Sequence, residues 1–113
     1  MLVEDESLVA MMMEDLLAEL GCDVVASLGS LREALDWVEQ ADALDGALLD
    51  VNLGGEMVFP LAEALSRRKV PFVFATGYGA LADERFARAP LIHKPVSIGN
   101  LEPLVSLFGA GTS

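Results

Sequence analysis

The sequence predicts an α/β fold, a doubly wound parallel sheet of five strands with helices on both faces. Three observations carry this. Short apolar runs alternate with stretches whose apolar residues recur every three or four positions, so strand signals alternate with helix signals along the whole chain. The runs Ala47-Leu48-Leu49 and Phe72-Val73-Phe74-Ala75 are apolar throughout, as suits strands covered on both sides. Connections long enough to hold a helix are crossovers, which make neighbouring strands parallel.

The elements follow in order. Met1-Leu2-Val3 opens as a strand that runs into Glu4-Asp5. Leu8, Met12, Leu16 and Leu20, flanked by Val9, Met13 and Leu17, then mark one broad helical face, which Gly21 ends. Val24-Val25-Ala26, within residues 22–27, reads as the second strand, and Leu28-Gly29 turns the chain. Ser30 and Glu33 form a capping-box pattern ahead of a helix from Leu31 to Gln40, with Leu31, Ala34, Leu35 and Val38 inward. Asp45-Gly46 turns into the buried strand that ends at Asp50. After a Gly54-Gly55 loop, a third helix spans residues 57–68, with Pro60 in its first turn, where a missing N–H is tolerated. The strand from Phe72 ends at Thr76, and residues 80–88 have room only for a short fourth helix. Leu91-Ile92-His93 is the last strand, ending at Lys94-Pro95. Ile98, Leu101, Leu104, Val105 and Phe108 trace the inner face of a final helix, and residues 109–113 are expected to fray.

Composition narrows the function classes. The 113 residues suit one compact unit, so a single domain over residues 1–113 without an output domain is expected. Hydrophobic residues make up 53% and charged residues 22%, enough apolar material for a real core. The net charge of -11 repels a phosphate backbone or an anionic lipid surface, so neither nucleic acid nor membrane is an expected partner. The single Cys22 has no partner for an internal disulfide, and acid follows Met1 too soon for a signal peptide, so a cytoplasmic setting is expected.

Four strands end in residues unlike the apolar runs before them: Glu4-Asp5, Asp50, Thr76 and Lys94. In a parallel sheet the carboxyl ends share one edge, where ligands of open α/β folds bind. Three carboxylates gathered there repel one another, and protonation or a bound cation must relieve them, the cation being the simpler answer. An all-oxygen set with few protein donors suits Mg2+, which keeps several waters and favours carboxylate plus phosphate oxygen. Asp50 would then act as a nucleophile toward phosphorus, with the Lys94 ammonium and the Thr76 hydroxyl facing the phosphoryl oxygens.

Over essentially its whole length the chain resembles the receiver domain of two-component response regulators. Glu4-Asp5 looks like the acidic pair of that family, Asp50 in Leu48-Leu49-Asp50-Val51-Asn52 like its phosphoacceptor, Thr76 like its switch hydroxyl, and Lys94-Pro95 like its Lys-Pro dipeptide. The resemblance implies a flavodoxin-like sheet of order 2-1-3-4-5 and a cis peptide before Pro95. It also implies Mg2+ held by Asp5, Asp50 and the backbone carbonyl of Asn52, with Glu4 acting through water. The implied partners are a sensor histidine kinase or histidine phosphotransfer protein as donor and a protein target downstream. The only catalysis implied is the protein's own phosphorylation and dephosphorylation. Within Pro71-Phe72-Val73-Phe74-Ala75-Thr76-Gly77-Tyr78 the chain is similar to the stand-alone "FAT GUY" receivers associated with stress-response phosphorelays.

Three departures stand against that pattern. Leu91 occupies the position, three before the lysine, where most receivers carry a switching aromatic ring, and Tyr78 is a candidate to take over part of that role. Gly54 replaces a common proline, which predicts a more flexible mouth. Thr76 and Lys94 are closer together than usual. The first strand is also short for a central one, which means either that residues are missing upstream or that the strand is truncated, and the first reading is favoured.

Other residues read more simply as structure. The Met11-Met12-Met13 run and Trp37 fit helix packing, His93 lies in or beside the last strand, and Arg67-Arg68-Lys69 complements a helix dipole. Two rival functions share the site chemistry. An aspartyl-phosphate phosphatase or phosphotransferase would want a second acid two residues after its nucleophile, where Asn52 stands. A receiver-like adaptor independent of phosphorylation would have no need of the acid, threonine and lysine set.

Overall fold

The computed structural model describes residues 1–77, 84–86 and 88–109. The sheet contains β1 (Leu2–Val3), β2 (Ser27–Leu28), β3 (Ala47–Asp50), β6 (Phe72–Thr76) and β7 (Leu91–His93). All pairings within it are parallel, and its order is β2-β1-β3-β6-β7, the predicted flavodoxin-like order with the strands renumbered. The renumbering arises from a small antiparallel hairpin, β4 (Asn52–Leu53) and β5 (Glu56–Met57), between β3 and the next helix.

Helices α1 (Ser7–Glu19), α2 (Leu31–Gln40), α3 (Phe59–Arg67) and α4 (Ile98–Gly109) supply the covering layers. Successive strand residues point to opposite faces. Val3, Leu49 and Phe74 therefore pack with the apolar faces of α2 and α3, while Leu2, Leu48 and Val73 pack with those of α1 and α4. Within the first layer Phe59, Phe72, Phe74 and Phe86 form one aromatic cluster, with Phe86 stacked on Phe59 at 5.8 Å between ring centroids. Phe86 belongs to a 3-10 turn, Glu84–Phe86, within the connection where a short fourth helix was expected. Among the described residues no helix is long and apolar enough to cross a membrane.

Local signals explain most element ends. Gly21, at φ 84°, closes α1 with Gly21 N–H donating to Ala18 O and Cys22 N–H to Leu17 O. Ser30 Oγ accepts from Glu33 N–H, the N-cap half of a capping box at the start of α2, and its hydroxyl donates to the Glu33 carboxylate. Pro60 lies in the first turn of α3.

Four expectations are corrected. The second strand is Ser27–Leu28, displaced toward the carboxyl side of Val24-Val25-Ala26, because these are the residues in register with Leu2 and Val3 of β1. On α1 the buried residues are Ala10, Met13 and Leu17, whereas Leu8, Met11 and Met12 are exposed, so the inner face is rotated from the one predicted. Met57 lies in β5 and α3 begins two residues later. The Gly54-Gly55 stretch is the two-residue turn of a hairpin, both glycines having positive φ, with Gly55 N–H donating to Asn52 Oδ1 at 2.7 Å.

Arg68 contributes a contact with no sequence signal. Its guanidinium donates to Val38 O and, at 2.6 Å, to Ala41 O, so it satisfies carbonyls at the end of α2 from the end of α3. Gly46 enters β3 beneath Phe108, where an added Cβ would lie 2.1 Å from the ring.

Candidate functional site

The sheet order sets β1, β3, β6 and β7 side by side, so their carboxyl ends bring Glu4, Asp50, Thr76 and Lys94 to one edge. Glu4 and Asp50 are buried, 3% and 6% exposed, and Thr76 is buried at the end of β6. Asp5 is exposed at the mouth. Carboxylate oxygens of Glu4, Asp5 and Asp50 all lie within 4.8 Å of one another.

Lys94 is the cation facing them. Its Nζ donates to Glu4 Oε1 at 2.6 Å and lies 3.3 Å from Asp50 Oδ1. The other oxygen of Glu4 accepts from Glu6 N–H at 3.2 Å. The backbone fixes Lys94 as well, its N–H donating to Thr76 O at 2.8 Å. The Lys94–Pro95 peptide is cis, as the resemblance implied, and Pro95 is exposed.

Three carboxylates around one ammonium leave an excess of negative charge in partly desolvated surroundings. Burial, followed by the Glu4 carboxylate, pushes Asp50 up to about 7, and Lys94 opposes that rise only in part. Burial alone would lower Lys94, but hydrogen bonding and attraction from Glu4 and Asp50 outweigh it and raise the ammonium above its ordinary value. The donor set consists of hard carboxylate oxygens on neighbouring strand ends. It fits a small divalent cation of the Mg2+ type, which would remove the electrostatic cost of keeping Asp50 ionised.

The remaining predicted residues fall as follows. Asn52 opens β4 two residues beyond Asp50, and its side-chain oxygen is engaged by Gly55 N–H. Leu91 is half-buried in β7, opposite Phe74, and packs against the aromatic layer. Tyr78 lies outside the described residues. His93 is exposed at the end of β7. Sequence reasoning did not reveal Glu4 as the partner of Lys94, since strand order brings the acids together without saying which one points at the amine. It also missed the hairpin, although the Gly54-Gly55 pair was its signal; a Cβ at Gly54 would sit 3.7 Å from Asp5 Oδ2, so the turn borders the acids.

Comparison with known proteins gives the same answer from another direction. The solution structure of SdrG from Sphingomonas melonis Fr1 is 42% identical with a TM-score of 0.81, covering 95% of this chain and 92% of that one. The BeF3-activated conformation of SdrG from Pseudomonas melonis Fr1 is 41% identical with a TM-score of 0.78, covering 94% and 91%. The receiver domain of the Erythrobacter litoralis PhyR response regulator is 26% identical with a TM-score of 0.79, covering 95% and 87%. No curated protein matches the chain. Residues 1–104 match the response regulator receiver domain as a family, a span that takes in all four strand ends of the site. With sheet order, acidic edge and sequence in agreement over that span, the chain belongs to the response regulator receiver domain family.

Proposed function

We propose that the protein is a single-domain response regulator that accepts a phosphoryl group on Asp50 from a phosphohistidine donor, a sensor histidine kinase or a histidine phosphotransfer protein. The observation that carries this reading is the convergence of Asp50 with Glu4, Asp5 and Lys94 at one sheet edge. An Asp50 carboxylate oxygen attacks phosphorus, the phosphorus–nitrogen bond breaks, and the imidazole leaves with the bonding pair. Lys94 faces the oxygens that gain charge, and Thr76 supplies a hydroxyl at the neighbouring strand end. Asp5, Asp50 and the Asn52 carbonyl would hold Mg2+, with Glu4 acting through water. When bound, the ion supplies charge neutralisation for the transferring group.

Phosphorylation adds negative charge and acceptor oxygens that draw Lys94 and Thr76 toward Asp50. The output is protein binding or onward phosphotransfer, with Tyr78, Leu91 and Pro95 as the candidate switch or partner residues. The run Pro71-Phe72-Val73-Phe74-Ala75-Thr76-Gly77-Tyr78 supports a place among the stand-alone FAT GUY receivers, and the likeness to the PhyR stress response regulator supports a stress-response phosphorelay in the cytoplasm.

Intact-protein mass after incubation with acetyl phosphate and Mg2+ tests the chemistry. A phosphoryl adduct that disappears with chelator and in Asp50→Ala is the expected result. An adduct retained by Asp50→Ala would refute the assignment of Asp50. If acetyl phosphate gives no adduct, a phosphorylated histidine kinase is the next donor, and failure there too would leave a phosphorylation-independent adaptor.

A further inference from the structure

Along the edge of the sheet formed by β2, a groove of about 450 Å³ runs between that strand and α2. Leu28, Trp37 and Ala41 give it an apolar lining, and Glu33, Asp36 and Gln40 add polar groups. Positions 33, 36, 37, 40 and 41 recur every three or four residues, so one side of α2 supplies everything except Leu28. None of these residues belongs to the ionic edge at Asp50.

The groove is acidic and has no cation of its own. Among the described residues no Lys or Arg lines it, and the side chains of Asp36, Trp37 and Gln40 make no hydrogen bond or ion pair. The Glu33 carboxylate is engaged by the Ser30 hydroxyl alone. Nearby cations are committed elsewhere: Arg68 donates to Val38 O and Ala41 O, and Arg67 and Arg85 pair with Glu63. Arg32 lies on α2 one turn before Asp36, yet it is exposed and forms no ion pair with it among the described residues. Seven basic residues against eighteen acidic ones also give the whole molecule a field that favours the approach of a cation.

Trp37 turns that general charge into a shaped receptor. It is half-buried, packing against the core layer beneath α2 while also lining the groove, so the indole is held in place before anything binds. An indole face attracts cations, and a planar guanidinium stacks on it while its donors reach carboxylates alongside. Backbone groups are on offer beside the ring. Leu2 N–H donates to Ala26 O and Glu4 N–H to Leu28 O, so Ala26 and Leu28 turn toward β1. Ser27, between them, therefore turns its N–H and C=O to the open side of β2, which is an edge strand.

We propose that this groove docks an extended basic segment of a partner protein, which pairs with Ser27 at the open edge and lays an arginine side chain on Trp37 beside Glu33 and Asp36. Main-chain pairing holds the segment, and the groove selects the side chain that enters it. Lysine fits less well, because a point charge on a flexible stem does not stack on the ring. An acidic side chain is repelled by both carboxylates.

Trp37 is the only tryptophan, so its own fluorescence reads the groove. The protein is titrated with the blocked peptide Thr-Val-Arg-Val-Thr and with Thr-Val-Gln-Val-Thr. The arginine peptide is expected to change the fluorescence saturably, to bind at least about tenfold more tightly than the glutamine peptide, and at saturation to slow amide exchange at Ser27. Asp36→Asn is expected to weaken it by about threefold. Glu39→Gln removes the same charge from an exposed position of α2 outside the groove and is expected to leave binding unchanged. Equal affinity for the two peptides would overturn the proposal, as would equal weakening by the two variants, which would reduce the attraction to net charge. Binding without protection of Ser27 would overturn the strand pairing. A fluorescence change that follows protein concentration alone would also overturn the proposal, by assigning the groove to a second copy of the chain.

Discussion

Lys94 and Glu4 come from opposite ends of the sequence and form the closest ion pair of the site, 2.6 Å apart, whereas Asp50 stands 3.3 Å from the same ammonium. Glu4 therefore holds the cation beside the proposed nucleophile. A new negative charge on Asp50 has only to compete for Lys94 across a short distance.

This arrangement predicts how stability varies with pH without added metal. Burial and Glu4 raise Asp50 from 3.8 in the unfolded chain to about 7 in the folded one, so the folded state favours the protonated acid. The cost of ionising Asp50 is absent below about pH 4 and fully present above about pH 7, so its contribution makes stability fall as pH rises through that window. Urea titrations at intervals between pH 5 and 8 are expected to show this fall. Asp50→Asn, or added Mg2+, is expected to flatten it. An equal slope in Asp50→Asn would contradict the assignment.

Removing the ammonium has a related effect. Lys94→Met leaves Glu4 and Asp50 facing each other without a cation, and is expected to cost about 2 kcal/mol at pH 8. At pH 6 the loss is expected to be smaller, because a carboxyl can take up a proton instead. Denaturation midpoints of parent and variant at the two pH values measure the difference.

Arg68 offers a test remote from the site. Its fork satisfies carbonyls at the end of α2, so Arg68→Ala is expected to destabilise the protein by about 1–2 kcal/mol and to speed amide exchange in α2 more than in α1. Arg68→Lys is expected to recover only part of the loss, since one ammonium does not reproduce two diverging donors.

Gly46→Ala places a methyl group against the Phe108 ring and is expected to cost about 1–3 kcal/mol. Phe108→Leu combined with it is expected to cost less than the two single changes added together. A double-mutant cycle in urea checks this; strict additivity would show that the two residues do not meet.

Much of this was legible in the chain, for identifiable reasons. Asp50, Thr76 and Lys94 each end an apolar run, and parallel topology brings such ends together whatever the details of packing. The bounds of α2 were legible because Ser30 and Glu33 mark its start, and Leu31 to Gln40 is the helix observed. What failed depended on partners distant in sequence. Val24-Val25 has strand chemistry but precedes the residues in register with Leu2 and Val3, and the Leu8 and Met12 pair has helical spacing but lies on the outer side of α1. Arg68 was legible only as a helix-end charge, since its acceptors belong to another helix.

The aromatic cluster has a consequence for the connection between β6 and β7. That connection starts at Thr76, beside the ionic edge, and passes through Phe86, whose ring is packed among Phe59, Phe72 and Phe74. Its two moorings respond to different solution variables. Added electrolyte and acid act on the charges around Lys94 and barely reach a stack of hydrocarbon rings. Cooling weakens apolar packing and does little to a carboxylate–ammonium contact. Ionic strength and temperature are thus independent handles, one for each end of the same stretch of chain.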